Sequence, residues 1–362
     1  MVCNGIPPLV GIGTGTFCKA LPNSCHRPVQ KVQTDVTETS NHRLVLHIGA
    51  HKTGTSAIQV FLNQAMGKLM EQGWVFAPQP NGPLNWSPMF LMQRTEEGGS
   101  FRLDQAVLQS LVQRIQSRRR HLIVSAEDLF FLDPPEIARF SAEMHKLASD
   151  ITIVSYLRRQ DQMALSQWAQ GARTIQSAAV FGSEAGQLRP LTAQMRSYLD
   201  YAGRLDQWRA AFPQARFITR IYDRQAFAGG DVVRDFLLAL GLDVEGVEEP
   251  LEVNSAFGTR TVQFYYWLRA QGLSQAEIWA ISERQLVEVT QDRALPSRAE
   301  ATAFLAAFDA SNARLAAMLG TGRAFDVDIS AYPEVSSFGP LDPEFKLRNL
   351  MGLTLALRDG LR

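Results

Sequence analysis

A glycine pair, a lysine and several hydroxyl side chains occur together between residues 49 and 56. The segment reads Gly49-Ala-His-Lys-Thr-Gly-Thr-Ser56. Gly49 and Gly54 allow the backbone to curl so that successive N–H groups point inward at one anion. The side chains that can add a charge or a hydroxyl donor are Lys52, Thr53, Thr55 and Ser56. The segment therefore predicts a phosphate-binding loop.

The position of the lysine separates this loop from the usual nucleotide-binding type. A standard nucleoside-triphosphatase loop carries its lysine directly after the second glycine. Here Thr55 occupies that position, and Lys52 comes two residues before Gly54. The loop by itself predicts an anion site without distinguishing sulfate transfer from phosphate transfer.

A second candidate anion site follows the apolar run 151–157. Arg158 comes directly after this run, and Ser166 lies eight residues later, which is about two turns of a helix. The guanidinium fork and the hydroxyl could bind one phosphate together. The spacing favours Arg158 over its neighbour Arg159.

Strands and helices must alternate to position these residues. Apolar runs predict strands at 43–48, 74–77, 121–125, 151–157 and 215–221. Helical periodicity follows at 55–69, 103–119, 134–147 and 231–240, and also between Arg159 and residue 170. Residues 81–99 have the composition of a loop. This order predicts an α/β protein, a P-loop-containing three-layer fold with a mostly parallel central sheet. Both candidate sites then lie at the carboxyl ends of strands, where such sheets bind ligands.

Three regions are predicted along the chain. Residues 1–41 lack helical and strand periodicity and are expected to form a disordered leader. Residues 42–250 form the α/β core. Residues 251–362 are rich in helical pattern and are expected to form an appended C-terminal helical region.

Lys52-Thr53-Gly54-Thr55-Ser56 resembles the 5'-phosphosulfate loop of the P-loop sulfotransferases, whose pattern is Lys, a small hydroxyl residue, Gly, Thr, and Ser or Thr. A strand-end arginine and a serine eight residues later resemble their 3'-phosphate site. The resemblance covers roughly 43–241 and is closest to bacterial, carbohydrate-type enzymes with a His-Lys-Thr-Gly-Thr loop. The C-terminal Arg-x-x-x-Gly signature of the animal enzymes is not recognisable, and Asn254-Ser255 is a candidate for part of its role.

This resemblance implies a sulfotransferase that uses 3'-phosphoadenosine-5'-phosphosulfate as cosubstrate and needs no metal. It implies that Gly49, the loop side chains, Arg158 and Ser166 bind the donor. The acceptor is unidentified. A sugar hydroxyl on a glycan or glycolipid is the first expectation, and a small alcohol or amine stays open.

The acceptor's proton needs a base, and three residues are candidates. Glu127 is favoured because it follows the strand at 121–125 and because carbohydrate sulfotransferases are similar in using a glutamate. His51 is the second candidate, since it neighbours Lys52, and Asp128 is the third. Lys52 is expected to stabilise charge on the leaving phosphate.

Composition narrows the classes of partner and compartment. The formal net charge is zero, so the chain as a whole does not attract nucleic acid or an anionic membrane. The three cysteines, Cys3, Cys18 and Cys25, all precede the predicted core, which argues against a cysteine metal site there. No apolar stretch is long enough to predict a membrane span. We expect a cytoplasmic protein.

Two other classes of function remain open at this stage. A P-loop kinase or phosphotransferase predicts a lysine directly after Gly54, which is absent, and a magnesium carboxylate, a role open to Glu127 or Asp128. A non-catalytic nucleotide-binding protein would bind the donor without turnover.

Overall fold

The computed structural model describes residues 42–79, 84–86, 90–95, 98–118, 120–182, 186, 188–243 and 257–360. The predicted leader at 1–41 and the candidate pair Asn254-Ser255 lie outside these residues.

The described residues contain a five-stranded sheet in the order β2-β5-β1-β6-β7. Every neighbouring pair in it is parallel. The strands are β1 Arg43–Gly49, β2 Trp74–Phe76, β5 His121–Ser125, β6 Asp150–Leu157 and β7 Arg216–Ile221. The predicted α/β class with a mostly parallel sheet is confirmed.

A separate antiparallel hairpin consists of β3 (Phe90–Thr95) and β4 (Gly98–Leu103). The prediction that 81–99 is entirely loop was therefore wrong. The chain breakers that favoured a loop lie before residue 90 and at 98–99, whereas 90–95 contains neither glycine nor proline. Those six residues are free to pair along their whole length with β4.

Helices connect the strands and continue beyond the last one. Those of the core are α1 Thr55–Gln64, α2 Met66–Glu71, α3 Gln105–Gln116, α4 Pro134–His145, α5 Gln160–Gly171, α6 Ile175–Phe181, α7 Ala193–Leu199, α8 Tyr201–Ala211 and α9 Val232–Leu240. The C-terminal ones are α10 Thr259–Ala270, α11 Gln275–Glu283, α12 Arg298–Ala306, α13 Asp309–Leu319 and α14 Pro343–Gly360. Short 3₁₀ turns lie at Glu127–Phe131 and Ala228–Gly230.

Helices cover both faces of the sheet. Successive strand residues point to opposite faces, so Leu44 and Leu46 belong to one buried cluster and Val45 to another. The first cluster includes side chains of α3, α4 and α8, and the second includes side chains of α1 and α9. These two cores on either side of the sheet make the predicted three layers.

The C-terminal helices pack onto the core in two places. A third buried cluster joins α10, α11 and α14 to the end of α5 through Trp168 and Ala172. Phe304 and Leu315, from α12 and α13, belong instead to the cluster that contains α8. The described residues from Thr259 onward form helices and no strand, as expected for an appended helical region. None of the described helices combines the length and apolar character that a membrane span requires.

Candidate anion-binding site

The glycine loop connects β1 to α1 through two close backbone approaches. Gly49 has φ 106° and Gly54 has φ 79°, both in the left-handed region that favours glycine. A Cβ at Gly49 would lie 2.7 Å from the carbonyl oxygen of Glu127, and one at Gly54 would lie 2.8 Å from Cγ1 of Val232. The glycines therefore allow β1 to approach the turn after β5, and α1 to approach α9.

The loop is closed by its own hydrogen bonds. The Ala50 N–H donates to the Tyr156 carbonyl at 2.8 Å, and the buried Thr53 hydroxyl donates to the Ala50 carbonyl at 2.6 Å. Gly54 is the N-cap of α1, so the first N–H groups of this helix begin at the loop. Thr55 is buried and Ser56 is exposed in the first turn. The Thr53 hydroxyl thus shapes the loop.

The strand order places both candidate anion sites at one edge of the sheet. Strand β1 lies between β5 and β6, so the residues after these strands flank the loop. Nη1 of Arg158 lies 3.4 Å from the carbonyl oxygen of Lys52, and its Nε lies 3.4 Å from Oε1 of Gln162. Tyr222 lies between the two motifs, since its ring centre is 5.7 Å from the Arg158 guanidinium carbon and its Cε2 would be 3.3 Å from a Cβ at Gly54.

Arg158 and Arg159 have different surroundings. Arg159 forms an ion pair with buried Asp161 at 2.9 Å and donates to the carbonyls of Asp326 and Asp328. It therefore ties the C-terminal region to the start of α5. Arg158 has no carboxylate partner among the described residues. Only Arg158 of this pair has an unpaired charge beside the loop.

Ser166 lies on α5, four residues after Gln162, which Arg158 contacts. It is one turn beyond Gln162 on α5, and side chains four residues apart share a face. It is partly exposed. Ser166 and Gln162 therefore share one face of α5, and the joint phosphate site of Arg158 and Ser166 stays a prediction.

Lys52 is surrounded by positive charge. Burial lowers the pKa of Lys52, the charges of Arg173 and Arg158 lower this pKa further, and Glu127 raises it. No described carboxylate forms an ion pair with the Lys52 ammonium. Burial likewise lowers the pKa of Arg158. Such an arrangement of partly desolvated cations that form no ion pair with a described carboxylate is suited to binding a polyanion.

Glu127 begins the 3₁₀ turn after β5 and is held by a buried amide. Nε2 of Gln59 donates to Oε2 of Glu127 at 2.9 Å and to Oγ of Ser125 at 3.0 Å. Burial raises the pKa of Glu127, and Asp128 raises it further, whereas His51 and the Gln59 hydrogen bond lower it. The net increase makes this carboxylate a stronger base than an exposed glutamate.

Both ring nitrogens of His51 are occupied. Nε2 lies 2.7 Å from Oδ1 of Asp128, and Nδ1 lies 2.5 Å from the Tyr198 hydroxyl, which also accepts from Gln167 at 2.8 Å. The ring stacks on Phe131 with centres 4.6 Å apart. With a proton on Nε2, His51 donates to Asp128 and accepts from Tyr198, and every partner is satisfied. No lone pair of this tautomer is left for a substrate.

Three residues that act on the loop or on its neighbours were not predicted from the sequence. Arg173 follows the end of α5, where a basic residue usually complements the helix dipole. Gln59 and Tyr198 join the site through hydrogen bonds to residues 68 and 147 positions away, respectively. Their roles depend on contacts between distant segments, which periodicity does not reveal.

Comparisons with known proteins give matches that are either partial in length or low in similarity. No family model matches this sequence. An uncharacterized protein of Archaeoglobus fulgidus is 37% identical over 134 residues, which is 37% of this chain. The chain therefore spans about a third (34%) of the length of this curated relative. A crystal structure of a sulfotransferase from Alicyclobacillus acidocaldarius matches with a TM-score of 0.43 and 17% identity, covering 82% of this chain and 99% of that one.

Proposed function

We propose that this protein is a P-loop sulfotransferase that moves a sulfuryl group from 3'-phosphoadenosine-5'-phosphosulfate to a hydroxyl or amine acceptor. One observation carries the proposal: Arg158 lies 3.4 Å from the Lys52 carbonyl, so the glycine loop and the arginine form one site. A donor with phosphates on both the 5' and 3' positions needs two anion sites in one cleft. Neither cation has a described carboxylate partner.

The loop N–H groups, the start of α1 and Lys52 bind the 5'-phosphosulfate in this proposal. Arg158 and Ser166 bind the 3'-phosphate. Thr53 contributes by closing the loop through its bond to the Ala50 carbonyl at 2.6 Å.

The proposed reaction is an in-line displacement at sulfur. The acceptor oxygen or nitrogen bonds to sulfur while the bond from sulfur to the bridging phosphate oxygen breaks, and the electron pair stays on that oxygen. Lys52 stabilises the developing negative charge on the leaving phosphate. Glu127 accepts the acceptor's proton, since burial raises its pKa and Gln59 orients it. His51 instead positions Asp128 and Tyr198, because both of its nitrogens are occupied.

Calorimetry with a matched pair of nucleotides tests the proposal. Adenosine 3',5'-bisphosphate and AMP differ only in the 3'-phosphate. We expect the bisphosphate to bind the unaltered protein at least tenfold more tightly, because hydrogen bonds to charged groups contribute about 1.5–3 kcal/mol each. Arg158→Met should remove this preference, and Lys52→Ala should weaken both ligands. Arg216→Gln serves as control, because this exposed arginine is the first residue of β7 and the loop lies at the other, carboxyl ends of the strands.

The alternatives predict different outcomes. A kinase would bind ATP with magnesium more tightly than the bisphosphate and would retain this order in Arg158→Met. Equal affinity for the bisphosphate and AMP in the unaltered protein would refute the proposed 3'-phosphate site. Donor binding without transfer from the labelled sulfate donor to any hydroxyl or amine acceptor would instead indicate a non-catalytic binding protein.

A further inference from the structure

Arg173 is a third cation whose charge acts on Lys52, and it forms no ion pair with a carboxylate of the described residues. It follows the C-terminal end of α5, and its guanidinium carbon lies 4.7 Å from the ring centre of Phe257 and 5.9 Å from that of Trp279. Its Nε is buried and has no hydrogen-bond partner. Glu283 attracts it, but no ion pair within 4.0 Å is formed with a described carboxylate. A partly desolvated guanidinium with an unused donor is suited to binding an anion.

Arg173 and Arg158 lie at opposite ends of α5. Gln162, which Arg158 contacts, lies nine positions before Gly171, the last residue of α5, a rise of about 14 Å, and Arg173 follows two positions later. Both charges nevertheless lower the pKa of Lys52, and Arg173 does so more strongly. The Lys52 ammonium is therefore within electrostatic reach of both ends of the helix. The donor's two phosphate positions are matched by the loop and by Arg158, which leaves Arg173 without a donor phosphate.

Trp279 provides an apolar surface beside this cation. Its side chain is 45% exposed on α11, whereas Phe257, the other ring next to the guanidinium, is partly buried. Exposed tryptophan rings bind the apolar faces of other rings, and the adjacent cation adds charge selectivity. The guanidinium lies over the Trp279 ring, so an acceptor that packs against the exposed part of this ring would present an attached anion to Arg173.

We propose that Arg173 and Trp279 form the acceptor subsite, and that the acceptor carries a carboxylate or sulfate next to an apolar ring face. This inference rests on the proposed sulfuryl transfer. Two sources supply this chemistry: a uronic acid or other acidic sugar, and a hydroxyaryl acid. The subsite positions the acceptor hydroxyl toward Lys52 and Glu127 by binding its anionic group at the far end of α5.

Ligand-observed NMR on protein saturated with adenosine 3',5'-bisphosphate tests this subsite, because the donor phosphate sites are then filled. The probes are glucuronate against methyl glucoside, and 4-hydroxybenzoate against phenol. We expect the anionic member of at least one pair to bind at least tenfold more tightly. Arg173→Gln should abolish this preference while changing the affinity for the bisphosphate less than twofold. Trp279→Ala should weaken the neutral and anionic members of that pair together.

Arg173→Lys and Arg216→Gln are the controls. The lysine keeps the charge without the guanidinium fork and should keep part of the preference for the anionic compound. Arg216→Gln removes an exposed arginine at the amino end of β7 and should keep all of this preference. The subsite is overturned if the two members of each pair bind equally, or if none of the four compounds binds. It is also overturned if the preference for the anionic member survives in Arg173→Gln. Weaker binding of the full sulfate donor, but not of the bisphosphate, in Arg173→Gln would place Arg173 at the sulfuryl group and also overturn it.

The same experiment separates failure of the subsite from failure of the proposed function. If the bisphosphate does not bind the unaltered protein, the sulfotransferase proposal fails. The ligand pairs titrated into the free protein and into Arg173→Gln then still decide whether this arginine selects an anion.

Discussion

Replacing Gln59 with leucine should raise the pKa of Glu127. The Gln59 side chain is 4% exposed, and its amide nitrogen donates to the Glu127 carboxylate at 2.9 Å. Leucine has a similar size and removes the donor. Ser125 keeps a hydrogen bond to His47 at 2.8 Å. The main electrostatic consequence therefore falls on Glu127.

The magnitude follows from the difference between charged and neutral hydrogen bonds. A bond to an ionised group stabilises by about 1.5–3 kcal/mol, and a neutral one by about 0.5–1.5 kcal/mol. The ionised form of Glu127 therefore loses roughly 1–1.5 kcal/mol more than the protonated form. Since one pKa unit corresponds to about 1.36 kcal/mol, Gln59→Leu should raise the Glu127 pKa by about one further unit.

Unfolding in urea as a function of pH measures this change. Burial and Asp128 already raise the folded-state pKa of Glu127 above its unfolded value. The stability that the protonated carboxyl contributes is fully present below the unfolded pKa and is lost as pH rises through the folded pKa. Gln59→Leu should therefore cost roughly 1–1.5 kcal/mol more above the folded pKa than below the unfolded one. In the proposed reaction, the acid limb of the kcat/KM profile should move up by about one pH unit.

Gln263→Leu provides the matched control. Gln263 is 3% exposed, and its amide nitrogen donates at 2.6 Å to the carbonyl of Gly339, which does not titrate. The stability lost in Gln263→Leu should therefore be independent of pH. A loss in Gln59→Leu that is equally flat, or a Glu127 titration that moves to lower pH, would refute the electrostatic reasoning.

Three further perturbations test the loop and its support. Gly54→Ala places a Cβ 2.8 Å from Val232 Cγ1 at φ 79°. Calorimetry should then show at least tenfold weaker bisphosphate binding, and urea unfolding should show a loss of stability of about 1–3 kcal/mol. Unchanged binding would contradict the loop geometry. Arg220→Met leaves Asp235, which is 2% exposed, without its 2.5 Å ion pair and should cost about 2–3 kcal/mol in urea unfolding; a loss below about 1 kcal/mol would show that the pair contributes little. Burial lowers the pKa of Lys52, so bisphosphate affinity should fall as the pH rises, and this fall should begin before the pH reaches the usual lysine pKa of about 10.4. In Lys52→Arg the fall should occur at higher pH. Coincident pH profiles of the two proteins would exclude titration of Lys52 as its cause.

Local pattern was sufficient where a segment's own residues set its structure. The strand at 151–157 and the helix after it were predicted from apolar periodicity, and the structure has them at Asp150–Leu157 and Gln160–Gly171. The hairpin at 90–103 was missed because the surrounding prolines and glycines dominated the composition. Periodicity also gave no assignment for α6, α7 and α8.

The sequence by itself determined the glycine loop, the strand-end arginine and the alternation of strands and helices, because spacing and period are properties of neighbouring residues. Only the tertiary structure decided which residues meet. The strand order places β1 between β5 and β6, which brings Glu127 and Arg158 to either side of the loop. Packing also occupies both nitrogens of His51, through a contact 147 residues away, and places Arg173 against Trp279, 106 residues away. Contacts between segments this far apart cannot be read from neighbouring residues.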